Sequence, residues 1–165
     1  MNEADRWLYR AREIDETRAA ALHGELGTSP GAALGVLLGA AFPPLRPAHG
    51  WQFDALETLG ARSLRGTLSR RALLAEPPGG DDAGQRGDAV GRSLRRAVWS
   101  ERARIALREI LPRSLGGAPI DAMARDLSRL ASRALEVAFA EARAHVTRQL
   151  GEPRRASGEP STLVV

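Results

Sequence analysis

The side chains able to do chemistry are few and scattered. Three histidines are present, His23, His49 and His145, and none has a second ligand at metal spacing. His145 falls on a helical stretch near its apolar edge, which reads as a partly buried structural position. Asp81, Asp82 and Asp88 sit in a Gly- and Pro-rich stretch, but they lack the alternating oxygens and terminal Glu of a calcium loop. Glu136 and Glu141 are five residues apart on one helix, about 140° around its axis, so they do not form a carboxylate pair. No G-x-S-x-G, G-x-x-x-x-G-K-[ST] or H-E-x-x-H occurs. With no cysteine, thiolate chemistry and disulfides are excluded. Read from its motifs, the chain offers no catalytic, cofactor-binding or metal-ligating residue.

The elements that would position such residues are helical. The 165 residues are 43% hydrophobic, 27% charged and only 4% aromatic, a balance that suits a globular, Ala- and Leu-rich helical protein. All 24 basic residues are arginine, and the net charge is +4. An arginine surface could address phosphate or nucleic acid. Here Arg alternates with Glu and Asp, so the one-sided stripe that releases counterions is missing. The arginine content reads instead as GC-rich coding, and nucleic acid is disfavoured as a partner. The N-terminus MNEADRWLYR is not a signal peptide. The run Ala32–Phe42 is far short of the ~20 residues that cross a bilayer. A cytoplasmic protein with no membrane partner is expected.

Along the chain, residues 3–23 carry an apolar helical stripe, ended by Gly24 and Gly27. Ser29 and Pro30 then form a helix start, as cap and first residue, of a short buried helix that runs to Ala41 before Pro43-Pro44. Its glycines at 31, 35 and 39 fit either close helix packing or, the reading preferred from sequence, a small-residue helix of modest stability. Residues 43–50 read as a loop, followed by short helices at 51–59 and 69–75. Residues 76–91, rich in Gly, Pro and Asp, read as a surface linker.

A clear helix spans 91–111. Leu94, Ala97, Val98 and Ile105 mark one face; Trp99, Ala103, Ala106 and Ile110 mark an adjoining one. Glu101 is spaced to pair with Arg104 or Arg108 along the surface. Asp121 then reads as the N-cap of a long helix whose stripe, from Leu127 through Leu130, Leu135, Phe139 and Val146 to Leu150, holds for about six turns. It should be roughly 45 Å long and form core, stopped by Gly151 and Pro153. A polar loop and an apolar strand, Thr162–Val165, close the chain.

Two segments carry a resemblance. RIALREIL at Arg104–Leu111 and RDLSRLAS at Arg125–Ser132, closing on LGEP, resemble the helical region just before a nucleotidyltransferase domain in glutamine synthetase adenylyltransferases, the bifunctional adenylyl-transferring and adenylyl-removing enzymes. The family shows an R-I-A-L-R-[DE]-[IL]-L core, then an E-L-S-D-L-A-D-like stretch; its two later acidic positions are Arg129 and Ser132 here. The Thr28–Pro30 segment is similar to the family's earlier S-P helix.

The resemblance implies an N-terminal helical lead-in fragment. The strand Thr162–Val165 would begin a truncated nucleotidyltransferase α/β domain, ahead of a G-K-L-G-G segment and a G-S-D-x-D-L motif that holds magnesium. It implies ATP and magnesium as cofactors of the full protein, with none in this chain. It implies glutamine synthetase and a nitrogen-signalling regulatory protein as partners. The expected organisation is all-α: an N-terminal helical segment 1–75, a linker 76–91, a long-helix pair 92–151, and a loop with the first strand 152–165. Such a chain would lack transferase activity by itself. The alternative is a non-catalytic helical protein-interaction module.

Overall fold

A computed structural model describes residues 9, 10, 12, 13, 17, 29–61, 83–152, 154–159 and 161. Among the described residues four long helices follow in order: α1 Pro30–Ala41, α2 Gly50–Ala61, α3 Ala83–Ile110 and α4 Ile120–Leu150. Residues 9, 10, 12, 13 and 17 of the expected first helix are helical. The expected helix 69–75 and the strand Thr162–Val165 lie outside the described residues, among which there is no strand. The architecture is mostly helical, as composition and periodicity indicate.

α1 starts where the sequence places it. Ser29 is extended and its Oγ accepts from the Ala32 N–H at 3.1 Å, and Pro30 fills the first position, where a missing N–H costs nothing. A second acceptor reaches the same end from α2: Glu57 Oε2 takes the Gly31 N–H at 2.7 Å. A carboxylate is favoured there by the free amides and the helix dipole.

α1 and α2 pack antiparallel, closely enough that glycine is required. A Cβ on Gly31 would lie 2.8 Å from the Glu57 backbone nitrogen, and one on Gly60 would lie 2.5 Å from Pro30 Cβ. Gly35 also faces Phe53 and Leu56 of α2. Gly31 and Gly35 therefore serve close helix packing, and for them the preferred sequence reading is corrected. The start of α2 is held by Gln52. Its side chain, 6% exposed, accepts from the N–H groups of Ala48 at 2.7 Å and His49 at 2.9 Å. This is the back-reaching half of a capping box.

α3 begins at Ala83, so residues 83–91 of the stretch read as linker are helical. Propagation of an existing helix is favourable once its later turns are held by packing, and this outweighs the poor intrinsic preference of Gly and Asp. α3 lies between the α1–α2 hairpin and α4, and its two apolar faces divide accordingly. Ala103, Ala106, Leu107 and Leu111 join Leu34, Leu37, Leu38 and Leu56 in the main core, with Trp99 and Ile110 at its margin. Ile105, with Ala97 and Val98, packs on Met123 and Leu130 of α4. Trp99 meets Trp51 of α2 edge-to-face at 5.3 Å between ring centres, and the Arg96 guanidinium lies 5.4 Å from the Trp51 ring centre.

The α3–α4 connection is a short 3₁₀ turn, Arg113–Leu115. Gly116 ends it with φ 98°, a left-handed conformation that suits glycine. The Ala118 N–H then returns to the Arg108 carbonyl at 3.0 Å, satisfying one of the last acceptors of α3.

Two expectations for α4 are corrected. Its N-cap is Pro119, in extended conformation and without a side-chain cap; Asp121 lies in the first turn, where its charge suits the helix dipole. The helix starts two residues earlier because the Pro119 carbonyl already accepts from the N–H groups of Ala122 and Met123. Second, the stripe is not core along its length. Only Met123 and Leu130 are buried, while Leu127, Leu135, Val146 and Leu150 are 47%, 60%, 45% and 82% exposed. Apolar periodicity reports an apolar face and not what covers it. No described helix is long and apolar enough to cross a membrane.

Candidate functional site

Among the described residues a buried cluster of charge lies in the seam between α3 and α4. Two helical turns of α3 supply it, because Glu101, Arg104 and Arg108 are three and four residues apart and fall on one face. That face also bears Ala97 and Ile105, so the charges are drawn inside with the apolar residues. Arg104 is 2% exposed and Glu101 5%. The pairing read as a surface feature is therefore buried.

α4 completes the cluster with Asp126, one turn from Met123 and one turn from Leu130 on the side that meets α3. The Arg104 guanidinium grips Glu101 through two donors, with Nε to Oε2 at 2.8 Å and Nη2 to Oε1. It also donates to Asp126 Oδ2 at 3.2 Å. Arg108 donates to the same Oδ2 at 2.7 Å and, through Nε, to the Gly116 carbonyl at 3.3 Å. Arg129 stands 3.8 Å from the other Asp126 oxygen at the surface.

Burial by itself disfavours the charged guanidinium of Arg104. The hydrogen bond and charge of Glu101, followed by those of Asp126, outweigh it and hold the Arg104 pKa above the usual value. Arg104 is thus held in its charged form at any ordinary pH.

Chemically, this arrangement fastens α3 to α4. Both carboxylates are occupied by guanidinium donors. Their geometry is set by two helices and a tight turn, which makes the cluster a rigid joint. Breaking such a joint at one partner is costly, because a buried charge is left behind.

The candidate residues weighed from sequence do not converge on it. His49 is exposed in the loop that begins α2, and His145 is exposed on α4 rather than partly buried. Asp88 falls within α3; His23, Asp81 and Asp82 lie outside the described residues. Glu141, on α4, faces Arg148 at 3.5 Å, and Glu136 faces Arg133 at 3.7 Å. Among the described residues no group of His, Asp and Glu is gathered as a metal would need.

Open grooves accompany the fold among the described residues. One, of about 700 Å³, runs between Tyr9, Arg10 and Glu13 and the α3–α4 turn at Ile110, Pro112 and Leu115. Its charged edge is an Arg10–Glu13 pair at 2.6 Å. Another, about 540 Å³, lies against the end of α4 at Phe139, Arg143, Thr147 and Glu152.

Sequence reasoning named Arg104, Arg108 and Glu101 but missed Asp126 as their partner. The available signal was a charged residue set inside an apolar face on each of two successive helices. Comparison with family models, curated proteins and solved structures gives no match for this chain.

Proposed function

We propose that this chain is the helical lead-in of a glutamine synthetase adenylyltransferase-like nucleotidyltransferase and is not itself catalytic. On this reading the whole protein uses ATP and magnesium in the cytoplasm to move AMP onto or off glutamine synthetase, under a nitrogen-signalling regulatory protein. The observation that supports it is the meeting of the two segments that carry the resemblance. Arg104 and Arg108 of RIALREIL both bond Asp126 of RDLSRLAS, so the two segments form one packed unit, as parts of a shared domain should. The acidic residue at the head of the second segment has a stated physical role in this fold. Its departures, Arg129 and Ser132, fall on exposed positions, where substitution costs little.

The test is genomic. Sequencing the gene beyond codon 165 should reveal a frame, continuous or shifted, that encodes G-K-L-G-G and then D-x-D. Downstream codons with neither would remove the enzyme reading. In a companion assay the purified chain, given labelled ATP, magnesium and glutamine synthetase, should transfer no label. Label on glutamine synthetase would overturn the claim that the chain is non-catalytic.

A second reading, a helical interaction module, is favoured by one feature: the exposed apolar positions along α4. Large side chains left in water over several turns are more often covered by a partner than not.

A further inference from the structure

The exposed face of α4 is not a random scatter of apolar residues. Beyond Leu130 it runs through Ala131, Leu135, Ala138, Phe139, Ala142, Val146 and Leu150, with Leu127 leading in. These residues recur every three or four positions and so share one side. This side is distinct from the one that Met123, Asp126 and Leu130 turn to α3.

The stripe is complementary to its own reverse. Set two copies of α4 antiparallel, with a two-fold axis between Ala138 and Phe139. Leu127 then meets Leu150 of the second copy, Ala131 meets Val146, Leu135 meets Ala142, and Phe139 meets Ala138. Apart from the end pair, a large residue faces a small one at each step, which is how facing helices interdigitate without voids. The charges agree as well. In an antiparallel pair a flank meets the same flank of its twin. Glu136 is 63% exposed and Arg143 is exposed; both lie on one flank, and the pairing brings each within reach of the other across the axis.

We propose that α4 is an isologous dimer interface whose occupant is a second copy of this chain, antiparallel and centred on Ala138–Phe139. Residues 127–150 give a strip about 35 Å long and about 12 Å wide. Two such strips bury on the order of 1,000 Å² in total, at the lower bound for a specific interface. The dimer is therefore weak and reversible, with a dissociation constant on the order of 10 µM. It is independent of the adenylyltransferase reading, since it needs only this chain.

The experiment is sedimentation equilibrium of the full 165-residue chain from about 1 to 300 µM, concentrations that bracket the expected constant. A monomer–dimer equilibrium is expected. Leu135→Glu, an exposed position in the monomer, should weaken it at least ~100-fold by burying unpaired charge twice, with the helical circular dichroism unchanged. Glu136→Arg and Arg143→Glu should each weaken it, and the double swap should restore it. Because the chain has no cysteine, register can be read directly. A mixture of Leu127→Cys and Leu150→Cys chains should cross-link between the two variants on oxidation, and neither variant alone should. A monomer throughout the range overturns the proposal, as does a dimer indifferent to Leu135→Glu. Cross-linking of Leu127→Cys with itself would mean parallel pairing and would overturn it equally.

Discussion

Arg104 is 2% exposed and answers two carboxylates from different helices. A lone buried charge is far less tolerable than a matched set, so the network should behave asymmetrically under mutation. Arg104→Met alone leaves Glu101 without its main donor and Asp126 with one donor fewer. It should cost about 3–5 kcal/mol in urea unfolding. Replacing Glu101, Arg104, Arg108 and Asp126 together by apolar residues of similar size should cost much less, or stabilise. A quadruple variant as unstable as Arg104→Met would show that the charges contribute favourably in their own right. The raised Arg104 pKa adds stability that is complete below the ordinary arginine value and fades only as pH rises through the higher folded value. This group therefore adds no pH dependence near neutrality. At this scale the sequence was half readable. Glu101 and Arg104 are visibly paired, three residues apart. Asp126 is 22 residues from Arg104, and the pairing exists only because the 3₁₀ turn folds α4 back along α3.

Helix pairs depend on how near two backbones can come. Gly60 faces Pro30 with no room for a methyl group, whereas Gly50 has open space around it. Alanine favours a helix over glycine by about 1 kcal/mol. Gly60→Ala should nevertheless destabilise by about 1–3 kcal/mol, because overpacking wins. Gly50→Ala should be neutral or slightly stabilising. Thermal unfolding of the pair separates the two effects; equal shifts would mean that the α1–α2 contact is looser than the geometry states. Gln52→Ala removes the acceptor of two N–H groups and should cost about 1–2 kcal/mol. Which helices exist could be read ahead from Ser29-Pro30, Pro43-Pro44 and the apolar faces of α3. The start of α3 could not, since Gly and Asp at residues 84–91 argue for a loop until the packing of its later turns is counted. Nor could the role of Gly31 and Gly35 in α1, because close approach is a property of two helices and only one is visible in a local pattern.

Across the molecule, burial is uneven. α1, α2 and the last third of α3 share the main core, while α4 is anchored at Met123, Asp126 and Leu130 and then runs past its last buried residue for twenty more. The fold class was plain from composition, but this imbalance was not: the stripe of α4 looks like core at every turn and is core only where α3 covers it. Stability should therefore be graded along one continuous helix. Leu130→Ala, at a buried position of α4, should cost about 2–5 kcal/mol; Leu150→Ala, 82% exposed, should change monomer stability by less than about 0.5 kcal/mol. Amide exchange tests the same gradient without mutation. In dilute protein the amides of residues 124–130 should exchange only through near-global opening, and those of residues 140–150 through local fraying, orders of magnitude faster. Raising the protein concentration should then protect the distal half selectively, because a second copy supplies there the cover that α3 supplies near the turn. Uniform protection along α4 at high dilution would mean that its distal face is already covered within a single chain, and concentration would then have nothing left to protect.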